Sequence, residues 1–154
     1  MGCVTNVQFS MLVNGLPTMF FKGQRGLRQG CPLSPLLSLL VIDGFSRMIG
    51  VAKLNGSING VRVSPSHFLT HILFVDDVLL FGGNNRQEWT IFHEITSLFC
   101  LATGMEISGS KSTFIAPGGM VDEHITELFP YNCTKQEDGF HYLGYILKPN
   151  GYKK

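Results

Sequence analysis

His67-Phe68-Leu69-Thr70-His71-Ile72-Leu73-Phe74-Val75-Asp76-Asp77-Val78-Leu79-Leu80-Phe81-Gly82 is two apolar runs around a pair of acids. Phe68, Leu69, Ile72, Leu73, Phe74 and Val75 lead in, and Val78, Leu79, Leu80 and Phe81 lead out. Such runs on both sides of a short polar break predict two strands joined by a tight hairpin. Aspartate is a common turn residue, so a purely structural role for the pair stays open. The flanks argue for a second role. Continuous apolar strands place the turn at the edge of a buried sheet, where adjacent carboxylates repel and are poorly solvated unless a cation neutralises them. A hard divalent ion, Mg²⁺ above all, takes oxygen ligands of this kind. Pairs of such ions hold the attacking and leaving oxygens of a phosphoryl transfer.

Upstream of this hairpin, Asn6 to Val13 alternates, with Phe9, Met11 and Val13 on one side and Gln8 and Ser10 on the other. Asn14-Gly15 and the run Thr18 to Lys22 complete a second predicted hairpin. Gly23 to Pro35 is a loop rich in Gly, Arg and Pro. Ser34 suits a helix N-cap, Pro35 the first helical position and Gly50 the C-terminal cap. Between them Leu36, Leu37, Leu40, Val41, Phe45 and Met48 predict a helix apolar over most of its surface. Asn55 to Pro65 reads as turn and short strand. Downstream, Asn85 with Glu88 predicts a capping box. It opens a helix with Glu88, Ile91, Phe92, Ile95, Leu98, Phe99 and Ala102 along one side, ended by Gly104. Ile107 to Ala116 reads as loop and strand, Val121 to Phe129 as a short helix, and His141 to Leu147 as a last strand. This order predicts an α+β fold, an antiparallel sheet with helices packed on one face.

The 154 residues fit one domain, and 44% of them are hydrophobic against 15% charged, with 12 Phe. That excludes disorder and requires either a dense core or cover from neighbouring structure. Cys3, Cys31, Cys100 and Cys133 show neither metal-site pairing nor a disulfide framework, which predicts thiols in a reducing compartment. No signal-peptide pattern opens the chain, and the apolar run from Leu36 to Ile42 is interrupted by Asp43, so a soluble, intracellular protein is expected. Net charge is +1, but its distribution is uneven. Up to residue 70 six basic residues face Asp43 alone; from residue 71 onward six face ten acids. A basic front with an acidic remainder is compatible with a phosphate-binding face beside a metal-binding or solvated one.

Four segments, in order, resemble the motifs of reverse transcriptases. Gly26-Leu27-Arg28-Gln29-Gly30-Cys31-Pro32-Leu33-Ser34-Pro35 is similar to their signature loop and helix, and Phe74-Val75-Asp76-Asp77 to their catalytic hairpin. Thr103-Gly104-Met105-Glu106-Ile107 through Lys111-Ser112, and then Tyr142-Leu143-Gly144, resemble the two motifs that follow. The hairpin from Leu12 to Phe21, with Val13-Asn14-Gly15, resembles the segment before the loop in non-LTR (LINE-type) elements. One such motif could arise by chance; four in order are specific.

The resemblance implies a polymerase palm and RNA-templated DNA synthesis. It makes Asp76 the ligand of catalytic Mg²⁺ and gives Asp77 a lesser part beside it. Gln29 and Gly30 would lie against the nascent base pair, and Arg28 would contact template or incoming nucleotide. Lys111 would approach the triphosphate and assist departure of pyrophosphate. Tyr142, Leu143 and Gly144 would belong to the hairpin holding the primer end. RNA template, DNA primer and dNTPs are the implied partners. Plainer roles stand beside these: Arg28 and Lys111 as solvated surface cations, Tyr142 as core. Cys31 stands where many relatives have Asp, Phe74 where many have Tyr, and Val75 where Ala or Met is common. The family also carries an aspartate on a strand upstream of the Gln29-Gly30 loop, yet no acid precedes Asp43. The expectation is therefore a partial palm over residues 1–150, without fingers or first catalytic strand, and a tail over 151–154. Such a chain should bind metal weakly and not polymerise alone. A non-catalytic nucleic-acid-binding module and a domesticated structural protein keeping the palm fold are the alternatives.

Overall fold

The computed structural model describes residues 7–24, 26–27 and 30–148. The chain divides into two compact units, Met1–Gly44 and Phe45–Lys154. In the first, β1 (Gln8–Phe9) pairs antiparallel with β4 (Phe21–Lys22), and β2 (Leu12–Val13) with β3 (Leu16–Pro17). Asn14 and Gly15 both take positive φ (51° and 81°), the two-residue turn whose twist suits a hairpin. The interruption between the pairs is bridged by Thr18. Its backbone N–H donates to the Met11 carbonyl at 2.8 Å, and its hydroxyl accepts from the Met11 N–H at 3.0 Å.

Helix α1 (Leu33–Leu54) runs into the second unit. It starts one residue before the expected cap, with Ser34 donating its N–H to the Cys31 carbonyl, and it passes straight through Gly50. The stop lies at Gly56 (φ +74°). Gly56 donates to Lys53 and Ser57 to Ala52, a pair of bonds that closes the last turn in the Schellman manner. Asp43 does not interrupt the helix either. Its 22 residues are long and apolar enough to cross a membrane by length and composition, contrary to the broken run expected. Phe45, Ile49 and Ala52 are buried in the core, but Leu36, Leu39, Leu40 and Val51 are exposed, so the helix is not buried over most of its surface as its apolar composition suggests.

After α1 the chain makes two hairpins, β5 (Val61–Ser64) with β6 (His67–Leu69) and β7 (His71–Phe74) with β8 (Asp77–Leu80). Helix α2 (Arg86–Thr103) follows, capped by the Asn85 side chain accepting from the Gln87 N–H and ended by Gly104 at φ +70°. Then come β9 (Thr113–Ala116), α3 (Glu123–Leu128), β10 (Asn132–Lys135), and a hairpin of β11 (Phe140–Tyr142) with β12 (Tyr145–Leu147).

The mixed composition of helix and strand is as expected; the single antiparallel sheet is not. The described strands form two-stranded pieces, and one of these, β9 with β10, is parallel. Asn132–Lys135 is too polar to announce a strand, and the parallel pairing comes from the α3 crossover between the two. The predicted last strand is also a hairpin, folded at Leu143-Gly144 (φ 51° and 81°).

The core of the second unit is built by Phe45, Ile49 and Ala52 of α1, by Ile58 in the turn before β5, by Trp89 and Phe92 of α2, and by Ile125 of α3 with Phe129 just after it. Trp89 is its hub, with ring centroids 5.3 Å from Phe92, 4.7 Å from Phe114 and 6.0 Å from Phe129. Complete burial of Phe92 is worth about 1.5–3 kcal/mol in removed apolar surface.

Candidate active site

The acidic pair lies on the β7–β8 hairpin, one residue out of the register its sequence suggests. Phe74 pairs with Asp77, which leaves Val75 and Asp76 as the two-residue turn. Val75 is therefore the first turn residue and not part of the strand. It takes φ +55°, a conformation that glycine adopts readily and a β-branched side chain resists. Backbone strain of this kind gathers at functional turns. Asp77 opens β8 and, by strand alternation, shares a face with Ile72, Phe74 and Leu79. The opposite face, with Leu73 and Leu80, packs against the core.

Both carboxylates are exposed. Ile72, Phe74 and Val78 are exposed as well, so the hairpin is not the edge of a buried sheet. Poor solvation consequently does not compel a cation, which corrects the expectation from the apolar flanks. Two adjacent carboxylates match the hard-oxygen preference of Mg²⁺ in kind. In number they fall short, because among the described residues no group of three or more His, Cys, Asp or Glu comes together.

Of the other expected residues, Gly30 is exposed at φ +80°, while Arg28 and Gln29 lie outside the described residues. Lys111 sits in an exposed turn, its N–H donated to the Ser108 carbonyl. Among the described residues no ion pair links it to Asp76 or Asp77. Tyr142 pairs with Tyr145 across the Leu143-Gly144 turn, and the Tyr142 hydroxyl is buried without a hydrogen-bond partner among the described residues.

What holds the acid hairpin in place is a set of residues to which sequence reasoning gave another role, as with Glu88, or none. Glu88 is 2% exposed. Its carboxylate does not close the expected capping box; it accepts backbone N–H groups from Asn59 at 2.9 Å, Gly60 at 2.6 Å and Gly83 at 2.9 Å. One side chain thereby fastens the entry to β5 and the exit from β8 to helix α2. Trp89 adds a bond from its indole N–H to the Gly83 carbonyl at 2.8 Å. A Cβ on Gly82 would press into the Trp89 ring, and one on Gly60 into the Leu69 carbonyl, so both glycines allow close packing. At the start of β7, His71 Nε2 meets the Ser46 hydroxyl of α1 at 2.8 Å, and Nδ1 meets that of Thr70 at 3.0 Å. Burial, with the Lys53 charge adding to it, holds the His71 pKa below its ordinary 6.5 and favours the neutral ring.

A family model described as reverse transcriptase (RNA-dependent DNA polymerase) matches residues 3–147. The chain is a member of the reverse transcriptase family. An uncharacterized mitochondrial protein of Arabidopsis thaliana is 42% identical over 67 residues, which cover 43% of this chain and 55% of that protein. The retrovirus-related Pol polyprotein from type-1 retrotransposable element R2 of Popillia japonica is 31% identical over 80 residues, covering 52% of this chain and 12% of that protein. The matched stretch thus spans about half of the first relative (55%) and a small part of the second (12%).

Proposed function

We propose that β7–β8 is the metal-holding hairpin of a partial polymerase palm over residues 1–150, and that the intact reverse transcriptase uses it for RNA-templated DNA synthesis. The observation that carries this reading is the strained turn. Val75 at φ +55° sets Asp76 in the turn and Asp77 at the first paired position, in a chain that matches the family from residue 3 to 147. Asp76 would hold Mg²⁺, with Asp77 beside it; when bound, the ions neutralise the attacking and leaving oxygens of nucleotidyl transfer. Gly30, with Gln29, would permit the backbone to approach the nascent base pair, and Arg28 would contact template or nucleotide. Lys111 Nζ would give a proton to the departing pyrophosphate. The β11–β12 hairpin at Tyr142, Leu143 and Gly144 would border the primer end. RNA template, DNA primer and dNTPs are the partners of this reading, and a reducing intracellular compartment suits the free thiols of Cys100 and Cys133.

Two carboxylates leave most of an octahedral shell to other ligands, so metal affinity of these residues alone should be weak and synthesis by them alone negligible. Mn²⁺ titrated into the labelled protein is expected to broaden amide signals of residues 74–78 first, and not in Asp76→Asn/Asp77→Asn. Broadening centred elsewhere would refute the metal role. Primer extension on an RNA template by chain 1–154, abolished in Asp76→Ala, would instead refute the need for further ligands.

A further inference from the structure

Among the described residues glycine follows asparagine at Asn14-Gly15, Asn55-Gly56 and Asn59-Gly60; Asn150-Gly151 lies outside them. With no side chain on the glycine, its amide nitrogen can approach the preceding asparagine Cγ closely, so the sequence ranks the three steps alike. The structure does not. Gly56 donates its N–H to the Lys53 carbonyl at 3.0 Å, and Asn55 donates to Val51 at 3.0 Å, within the closing turn of α1. Gly60 and Asn59 donate theirs to the buried Glu88 carboxylate, at 2.6 and 2.9 Å. Asn14 and Gly15 are both exposed, and among the described residues the Gly15 N–H meets no acceptor. A Cβ on Gly15 would meet nothing within 4 Å, whereas one on Gly60 would meet the Leu69 carbonyl. The turn at Asn14 is flanked by strands of two residues each, Leu12–Val13 and Leu16–Pro17, and a ladder that short opens at little cost.

We propose that Asn14 is the site at which the folded protein deamidates first among these three, reacting with water by way of the free Gly15 amide. The Gly15 nitrogen loses its proton to solvent base and bonds to Asn14 Cγ; the Cγ–Nδ2 bond breaks, and Nδ2 takes up the proton and leaves as ammonia. A cyclic imide results, which water opens. Addition at the former side-chain carbonyl yields aspartate. Addition at the backbone carbonyl of residue 14 yields isoaspartate, whose chain runs through the side chain and is longer by a methylene. The net reaction exchanges an amide and water for a carboxylic acid and ammonia, with nothing oxidised or reduced. Aspartate keeps the turn, since Asp-Gly also accepts positive φ at both positions, and it places an acid in a stretch that has none before Asp43. Isoaspartate adds a backbone atom between Val13 and Leu16 and so removes the register that pairs them. This modification goes beyond the proposed role of the acid hairpin and uses none of its residues.

The test incubates the full chain in mildly alkaline buffer, folded and in urea, and follows each asparagine by peptide mass spectrometry. Isoaspartate is counted by enzymatic methylation, and circular dichroism checks that the folded sample stays folded. Each rate is taken relative to the same step in urea, which removes the effect of local sequence. Asn14 is expected to stay within a few-fold of its urea rate and to give both aspartate and isoaspartate. Asn55 should be slower. Asn59 should slow by about tenfold or more, because the charge-assisted bond from Gly60 to Glu88 must open before the nitrogen can attack. Asn55 or Asn59 reacting ahead of Asn14 in the folded protein, or Asn14 slowed as much as Asn59, would overturn the proposal. None of these outcomes alters the Mn²⁺ broadening at residues 74–78, so the modification and the metal reading can fail separately.

Discussion

Glu88 shows how much one side chain can organise. A carboxylate buried to 2% exposure is costly unless its oxygens are satisfied, and here three backbone N–H groups satisfy them. Truncation would leave three part-buried backbone donors without this acceptor. Glu88→Ala is therefore expected to destabilise the fold by about 3 kcal/mol, and Glu88→Gln, which keeps an acceptor oxygen, by clearly less. Urea denaturation checks both; equal losses would mean that packing, not the acceptor, is what matters. Val75 poses the opposite case, a residue that works against its own backbone. Its positive φ costs a β-branched side chain about 1–2 kcal/mol, part of which glycine would return in greater unfolded-state freedom. Val75→Gly should stabilise the protein by up to about 1 kcal/mol, and a loss of stability in the melt would show that its side chain packs usefully. Sequence reading located the acids but put Val75 on the strand, because a one-residue shift in hairpin register leaves the apolar pattern almost unchanged.

The elements around the acids are tied together by polar bonds that periodicity does not announce. His71 joins the first residue of β7 to α1 through Ser46 at 2.8 Å. Because burial and then Lys53 lower its pKa in the folded protein, the unfolded chain takes up that proton first as pH falls below 6.5. The stability contributed by a neutral His71 is thus present above pH 6.5 and is lost as pH falls from there toward the lowered folded value. Denaturation midpoints at pH 7.5 and 5.5 should differ more in the parent than in His71→Gln; equal differences would remove the effect from this residue. The carboxylates held low in pKa act in another window. Asp122, whose lowering comes first from its bond to Arg86, and Glu137, held by backbone N–H groups, lose their contributions only in more acid solution, below 3.8 and 4.5. The helices themselves were legible, α2 almost to the residue at its Gly104 end. The end of α1 was not, since glycine signals a stop at Gly50 and at Gly56 alike. The Ser57 and Gly56 amides closing on Ala52 and Lys53 are what select the second.

At the scale of the molecule, membership of the reverse transcriptase family follows from motifs in order along the whole matched length. The sequence also anticipated the hairpin before α1, the hairpin that carries the acids, the helix that follows them and the mixed α+β class, but not the β5–β6 hairpin directly after α1. It did not anticipate a sheet broken into two-stranded pieces, nor the parallel pairing of β9 with β10. Which residues attach the acid hairpin to the core, Glu88 and Trp89 first, was likewise undetermined by pattern, because the capping box expected of Glu88 names a partner within its own helix and not the distant amides that it accepts.

By itself the sequence determined the order of elements, the position of the acids and the family, since these depend on local residue type and spacing. Tertiary structure alone decided that Val75 bears the turn's strain, that Asp76 and Asp77 are exposed, and that Glu88 is buried. Register, solvent access and the satisfaction of backbone amides come from contacts between segments far apart in the chain, which no local pattern encodes.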